Sequence, residues 1–233
     1  MMAAAYELEW YGKLPTAGDF VQQGGQEDAI HSWSSWFQAG LVYWHLEHAS
    51  RDEPFGLAPI WNFALPATLG VQRVQIGCVM PSRDRVGRIW PLLAVKSVPL
   101  AKWHPSRLAM ADDWFTELGC AMFQAVRELH SADWLDQALR GVAPLPLPNT
   151  GRSEILDVLG YHDLPCTLKW TEVARRFDPL QYTSYWWTNQ GDGYPLKTHK
   201  HSGILTARLF AQLFHPAAGS QPGRHGLYPP MFD

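Results

Sequence analysis

VQRVQIGCVMPSRDRVGRIWPLLAVKSV, Val71 to Val98, is two apolar runs joined by a short charged segment. Val71 to Met80 and Ile89 to Val98 have the length and β-branched content of strands. Between them, MPSRDRVGRIWPL (Met80 to Leu92) sets Arg83, Arg85, Arg88 and Asp84 around a single glycine, Gly87. A connection this short cannot hold a crossover helix, so the two strands are antiparallel neighbours. With helical segments on both sides in the sequence, this hairpin predicts an α/β fold whose sheet is mixed and largely antiparallel, not purely parallel.

Working outward, Tyr6 to Tyr11 alternates as a first strand and stops at Gly12. The loop GKLPTAGDF follows, punctuated by Pro15 and Gly18. From Asp28 to His48 the residues Ile30, Trp33, Phe37, Leu41 and Trp44 recur three or four apart, which is the apolar stripe of an amphipathic helix facing a core. Pro59 to Leu65 reads as a further strand. A second helix is expected from Asp112 to Leu129, with Asp112 and Asp113 at its positive N-terminal end and Trp114, Leu118, Met122, Ala125 and Leu129 on one face. A third spans Ala132 to Arg140 and stops at Gly141. The connector VAPLPLPNTG, Val142 to Gly151, cannot continue a helix. Beyond it Leu168 to Arg176 is ambiguous, Tyr182 to Thr188 is strand-like, and Ser202 is placed to cap a helix from Gly203 to Phe214. The proline- and glycine-rich tail from about residue 216 is expected to be irregular.

Composition narrows the function classes. A chain of 233 residues, 46% of them hydrophobic, can bury a full core. Its net charge of −3 supplies no global field for nucleic acid, so any cationic site must be local. Twelve tryptophans predict a dense aromatic core and an aromatic docking face beside it. Cys78, Cys120 and Cys166 form no CxxC pair and read as reduced thiols. Neither a signal peptide nor a membrane-length apolar run is present in the sequence, so the expected location is the cytoplasm, without membrane insertion.

The motifs for phosphate-binding loops, dinucleotide folds, nucleophile elbows and HExxH metal sites are missing from the sequence, and no cofactor or metal is expected. His199 and His201 in THKH could share one side of an extended segment as metal ligands, but a third ligand from His162, His215 or a carboxylate stands at no telling spacing. Cys166 lacks a histidine at a catalytic spacing. The arginine loop admits two readings. Arg83, Arg85 and Arg88 can hold phosphate or carboxylate, with Asp84 fixing one of them. Alternatively Pro81 and Gly87 shape the turn, Asp84 and Arg85 pair across it, and the charges keep a hairpin tip wet.

Four segments in order, WYGKLPTAGDFV (Trp10 to Val21), HSWSSWFQAGL (His31 to Leu41), GCVMPSRDRVGRIWPL (Gly77 to Leu92) and SYWWT (Ser184 to Thr188), resemble the TagF family of type VI secretion accessory proteins. The resemblance implies a three-layer αβα sandwich forming one domain over residues 1–233. Residues 1–141 are its motif-bearing core, 142–151 its connector and 152–233 the part that completes it. It also implies a regulator that is not an enzyme: a post-translational repressor of type VI secretion, linked to the FHA-domain scaffold protein of that machine and to its threonine kinase pathway. Some family members are fused to a PppA-type phosphatase, an activity expected here to reside in a separate protein. In that light the arginine loop is structure plus docking surface. The GDF turn at Gly18 to Phe20 is expected beside it, with Asp19 near the arginines, and Trp186 and Trp187 are further docking candidates. The competing reading is an enzyme or sensor acting on a phosphorylated or anionic ligand through Arg83, Arg85 and Arg88 with Asp19.

Overall fold

The computed structural model describes residues 8–24, 27–48, 55–69, 72–145, 166–189 and 197–215. Among these residues seven strands form one open sheet: β1 (Glu9–Gly12), β2 (Val21–Gln23), β3 (Trp61–Leu65), β4 (Arg73–Met80), β5 (Leu92–Pro99), β6 (Thr183–Trp187) and β7 (Thr198–Ser202). Their order is β2-β1-β5-β4-β3-β6-β7. All six pairings are antiparallel, so the hairpin logic extends across the whole sheet and the parallel component of the expected mixed sheet is not found among the described strands. The hairpin that organises it is β4–β5, paired over its full length from Arg73↔Pro99 to Met80↔Leu92.

Helices cover both sides, giving the three-layer αβα sandwich. On one side lie α1 (Glu27–His48) and α6 (Ala207–Leu213). They bury Trp33, Trp36, Phe37, Phe210 and Phe214 against Trp61, Phe63, Val79, Leu93 and Trp186. On the other lie α2 (Pro105–Ala109), α3 (Asp112–Arg127), α4 (Ala132–Gly141) and α5 (Thr171–Arg176). Trp114, Phe115, Leu118 and Met122 of α3 pack there on Ile76, Cys78, Leu92 and Trp187. Side chains alternate across a strand, so β3 and β6 feed both cores and are apolar at successive positions. Trp186 and Trp187, 0% and 1% exposed, enter opposite layers. They are core residues and cannot serve as docking residues. Eight of the twelve tryptophans are buried and the other four half-buried, so none makes the exposed aromatic face that composition suggested.

Segments on both sides of the connector share this sheet, since β6 pairs with β3. Val142 to Leu145 begin the connector; its remainder and the tail from residue 216 lie outside the described residues, as do residues 1–7, with Tyr6 and Glu7 of the expected first strand. Three boundaries differ from expectation. Helix α3 ends at Arg127, and Leu129 turns into the left-handed region (φ 60°) with its side chain exposed, off the apolar face. The ambiguous segment resolves into α5. Ser202 caps no helix: it closes β7 opposite Thr183, Gly203 turns at φ 90°, and Thr206 is the cap of α6, accepting from Leu209 N–H at 3.1 Å. The β7 ladder to β6 satisfies the backbone groups that a longer helix would have claimed.

Helices α1 and α6 approach closely at Gly40, where a Cβ would stand 2.2 Å from Phe210 Cγ. Gly40→Val is therefore expected to force Phe210 out of its rotamer and cost about 1–3 kcal/mol, the usual range for overpacking, read as a lowered urea midpoint at unchanged slope. An unchanged midpoint would mean that Phe210 yields to the added side chain without loss.

Candidate functional site

The end of the sheet where β4 hands over to β5 is built around one carboxylate. Asp84 N–H donates to Arg88 O and Gly87 N–H donates to Asp84 O, both at 3.0 Å, and Gly87 takes φ 89°. This is a turn closed by a glycine in the left-handed region, a geometry that disfavours any side chain with a Cβ. The Asp84 side chain is inside, not across the tip from Arg85 as the pairing rule suggested. Its Oδ1 accepts from the N–H of Val86 (3.1 Å) and Arg88 (2.9 Å), and its Oδ2 pairs with Arg88 Nε (2.6 Å) and Lys13 Nζ (3.0 Å). Four donors saturate a carboxylate. Burial pushes the acid's pKa up, but these hydrogen bonds and the Lys13 charge outweigh it and hold the group well below the usual carboxylate range.

Lys13 comes from the loop after β1, and the two segments are stitched together. Ser82 Oγ donates to Lys13 O (2.7 Å), Arg85 N–H to Ala17 O (2.8 Å) and Arg88 Nη2 to Gly18 O (2.8 Å). The GDF turn thus lies beside the arginine hairpin, as expected. Asp19 is a different matter: it accepts from Phe20 N–H (2.8 Å), and among the described residues no ion pair joins it to Arg83, Arg85 or Arg88. Lys13 Nζ sits 5.0 Å from the centre of the Phe20 ring, which stacks on Tyr11 (5.6 Å) and meets Trp90 edge-on (4.9 Å).

Arg83, Arg85 and Val86 face solvent, with Phe20 44% exposed next to them. Val86 does not turn inward as strand alternation would have it; only Ile89 joins the core. Arg88, though exposed, is spent on Asp84 and Gly18. Arg83 and Arg85 form no ion pair among the described residues, and they are the two guanidinium forks left for another molecule. Lys13 is the member of this site that motif reading missed, and Phe20 of the GDF turn was given no role of its own. The signal for Lys13 was its place in the loop that leads to the GDF turn.

Among the described residues the candidate metal positions do not assemble, and His162 lies outside those residues. His199 and His201 do share one side of β7, but His201 Nε2 is bonded to Ile204 O (2.8 Å) and burial lowers the pKa of His199. Among the described residues no three His, Cys, Asp or Glu side chains form a group that could hold a metal ion.

Residues 9–142, which contain every residue of this site, match the family model of the TagF N-terminal domain, type VI secretion system-associated. The chain belongs to the TagF family. The fold of this TagF chain is also that of a crystal structure of PA0076 from Pseudomonas aeruginosa PAO1, with a TM-score of 0.68 at 23% identity, covering 89% of this chain and 93% of that one. No curated protein matches the TagF chain. Among its described residues, no helix is long and apolar enough to cross a membrane.

Proposed function

We propose that this TagF chain is a non-enzymatic, post-translational repressor of type VI secretion, acting in the cytoplasm by binding a component of the machine. Its FHA-domain scaffold protein is the first candidate, which would tie the repressor to the PppA-type phosphatase and threonine kinase pathway. Membership in a type VI secretion-associated family supports the setting. The observation that carries the binding role is the hairpin itself. It keeps its only acid, Asp84, for internal bracing and displays Arg83 and Arg85 without one. Arginine's planar fork suits carboxylate or phosphate contacts at an interface, and a surface fixed beforehand loses little freedom on binding.

Deleting the gene is expected to raise the amount of secreted substrate in culture supernatants, and overproduction to lower it, in cells that express the machine. Quantitative immunoblots of supernatant against cell pellet measure both. Secretion unchanged in both directions would overturn the repressor reading.

A further inference from the structure

We infer that Arg83, Arg85 and Phe20 form a docking platform for an acidic protein segment, one that carries several carboxylates and a large apolar side chain. The inference rests on the binding reading for its biological setting only. The two loops contribute four cations, Lys13, Arg83, Arg85 and Arg88, against two acids, Asp19 and Asp84, in a chain whose net charge is −3. Local charge therefore runs against the global charge, which is the condition for steering an acidic partner to one place.

Geometry then chooses which groups make contact. Lys13 is buried on Asp84, and Arg88 is bound to Asp84 and Gly18 O, so neither is released without dismantling the hairpin. Arg83 bridges to Ile89, whose neighbour Trp90 touches the Phe20 ring. Arg85 lies over Gly18, where a Cβ would be 3.4 Å from its Nη2. Both free forks thus belong to the hairpin that is stitched to the loop carrying the half-exposed Phe20. Phe20 is backed by Tyr11 and Trp90 and rigid behind, so its outer surface is an apolar anchor point with charged neighbours, the arrangement of an interface hot spot. Each fork can take one carboxylate, so a segment with several acids can occupy both.

The test uses the full chain and a fluorescein-labelled nonapeptide, Gly-Glu-Ser-Glu-Phe-Glu-Ser-Glu-Gly, in fluorescence anisotropy titrations. Three companions accompany it: the same peptide with lysine for glutamate, one with alanine for phenylalanine, and one with serine for glutamate and a single phosphothreonine. The glutamate peptide is expected to bind and to weaken several-fold as salt rises from low to physiological levels. Arg83→Glu/Arg85→Glu should weaken it roughly tenfold or more and take up the lysine peptide instead, a swap that a merely structural role would not produce. Phe20→Ala and the alanine peptide should each lose several-fold. Arg83→Gln/Arg85→Gln, with the melting temperature of both double variants, guards against misfolding. Equal binding by the folded variants, or no binding of the glutamate peptide, would overturn the platform. A tighter, arginine-dependent complex with the phosphothreonine peptide would overturn the carboxylate assignment in favour of phosphate. Failure here beside intact repression in cells removes the platform alone. Peptide binding beside unchanged secretion removes the repressor reading alone.

Discussion

Trp186→Ala and Trp187→Ala are each expected to destabilise the protein by about 3–5 kcal/mol, the range for removing a fully buried tryptophan. At this chain length that corresponds to a fall in melting temperature of roughly 6–20 °C. The two substitutions empty different layers. Trp186 lies among Trp33, Trp36 and Phe63 under α1, with its Nε1 donating to Ser184 Oγ at 3.0 Å. Trp187 meets Phe115 of α3 edge-on at 4.8 Å and Trp170 at 6.2 Å. Similar losses at neighbouring positions of one strand are the signature of a sheet covered on both faces. Thermal unfolding by circular dichroism measures both variants. Wild-type stability in either would mean that its layer is open.

The second large effect is expected at Asp84. Asp84→Ala leaves Lys13 buried with its carboxylate gone and frees the Arg88 N–H groups, so it should destabilise more than any substitution of the exposed Arg83 or Arg85. The double variant Lys13→Met/Asp84→Leu, which removes both charges, should recover part of that loss, because an apolar pair carries no desolvation penalty. Acid titration gives a separate readout. The folded pKa is depressed, so this group's contribution is complete above the unfolded carboxylate value of about 3.9. It is lost progressively as pH falls from there toward the folded value. Asp84→Asn should therefore flatten the stability curve below about pH 4 while leaving its shape near neutrality unchanged. A variant with the same acid slope as wild type would show that Asp84 is not held ionised by this network. Loss of the brace should also weaken binding through Arg83 and Arg85, since their backbone is fixed by it.

Much of this was legible in the residues alone, and for physical reasons. The alternation and β-branching of residues 71–98, with a charged segment too short for a crossover, allow only an antiparallel hairpin, and β4–β5 is that hairpin. The Trp33, Phe37, Leu41 and Trp44 spacing is a 3.6-residue period, and all four side chains are buried. Because these signals are local, a single segment carries them. The β-strand at Val21–Gln23 left no such signal: it is three residues long, at the sheet edge, and only half-buried. Ser202 and Thr206 are both competent caps by residue type, and the choice between them fell to the β6–β7 ladder, formed with residues earlier in the chain.

The candidate site divides in the same way. That an arginine-rich turn shaped by Gly87 would sit at a sheet end followed from order and spacing along the chain, while the GDF loop beside it was expected only in the light of the family resemblance. Which arginine would be free did not. Asp84 chose Arg88 over Arg85 because the turn brings the Arg88 N–H and Nε to its two oxygens, and it drew in Lys13 because β1 runs beside β5 and delivers the following loop to the hairpin. Likewise SYWWT announced a strand, while only the helices on both faces decided that neither tryptophan is offered to a partner. Local periodicity and turn chemistry are properties of adjacent residues and can be judged segment by segment. Pairing of a buried charge, and the exposure of a side chain, depend on what the rest of the chain lays against it, and those neighbours are assigned only when the strand order is set.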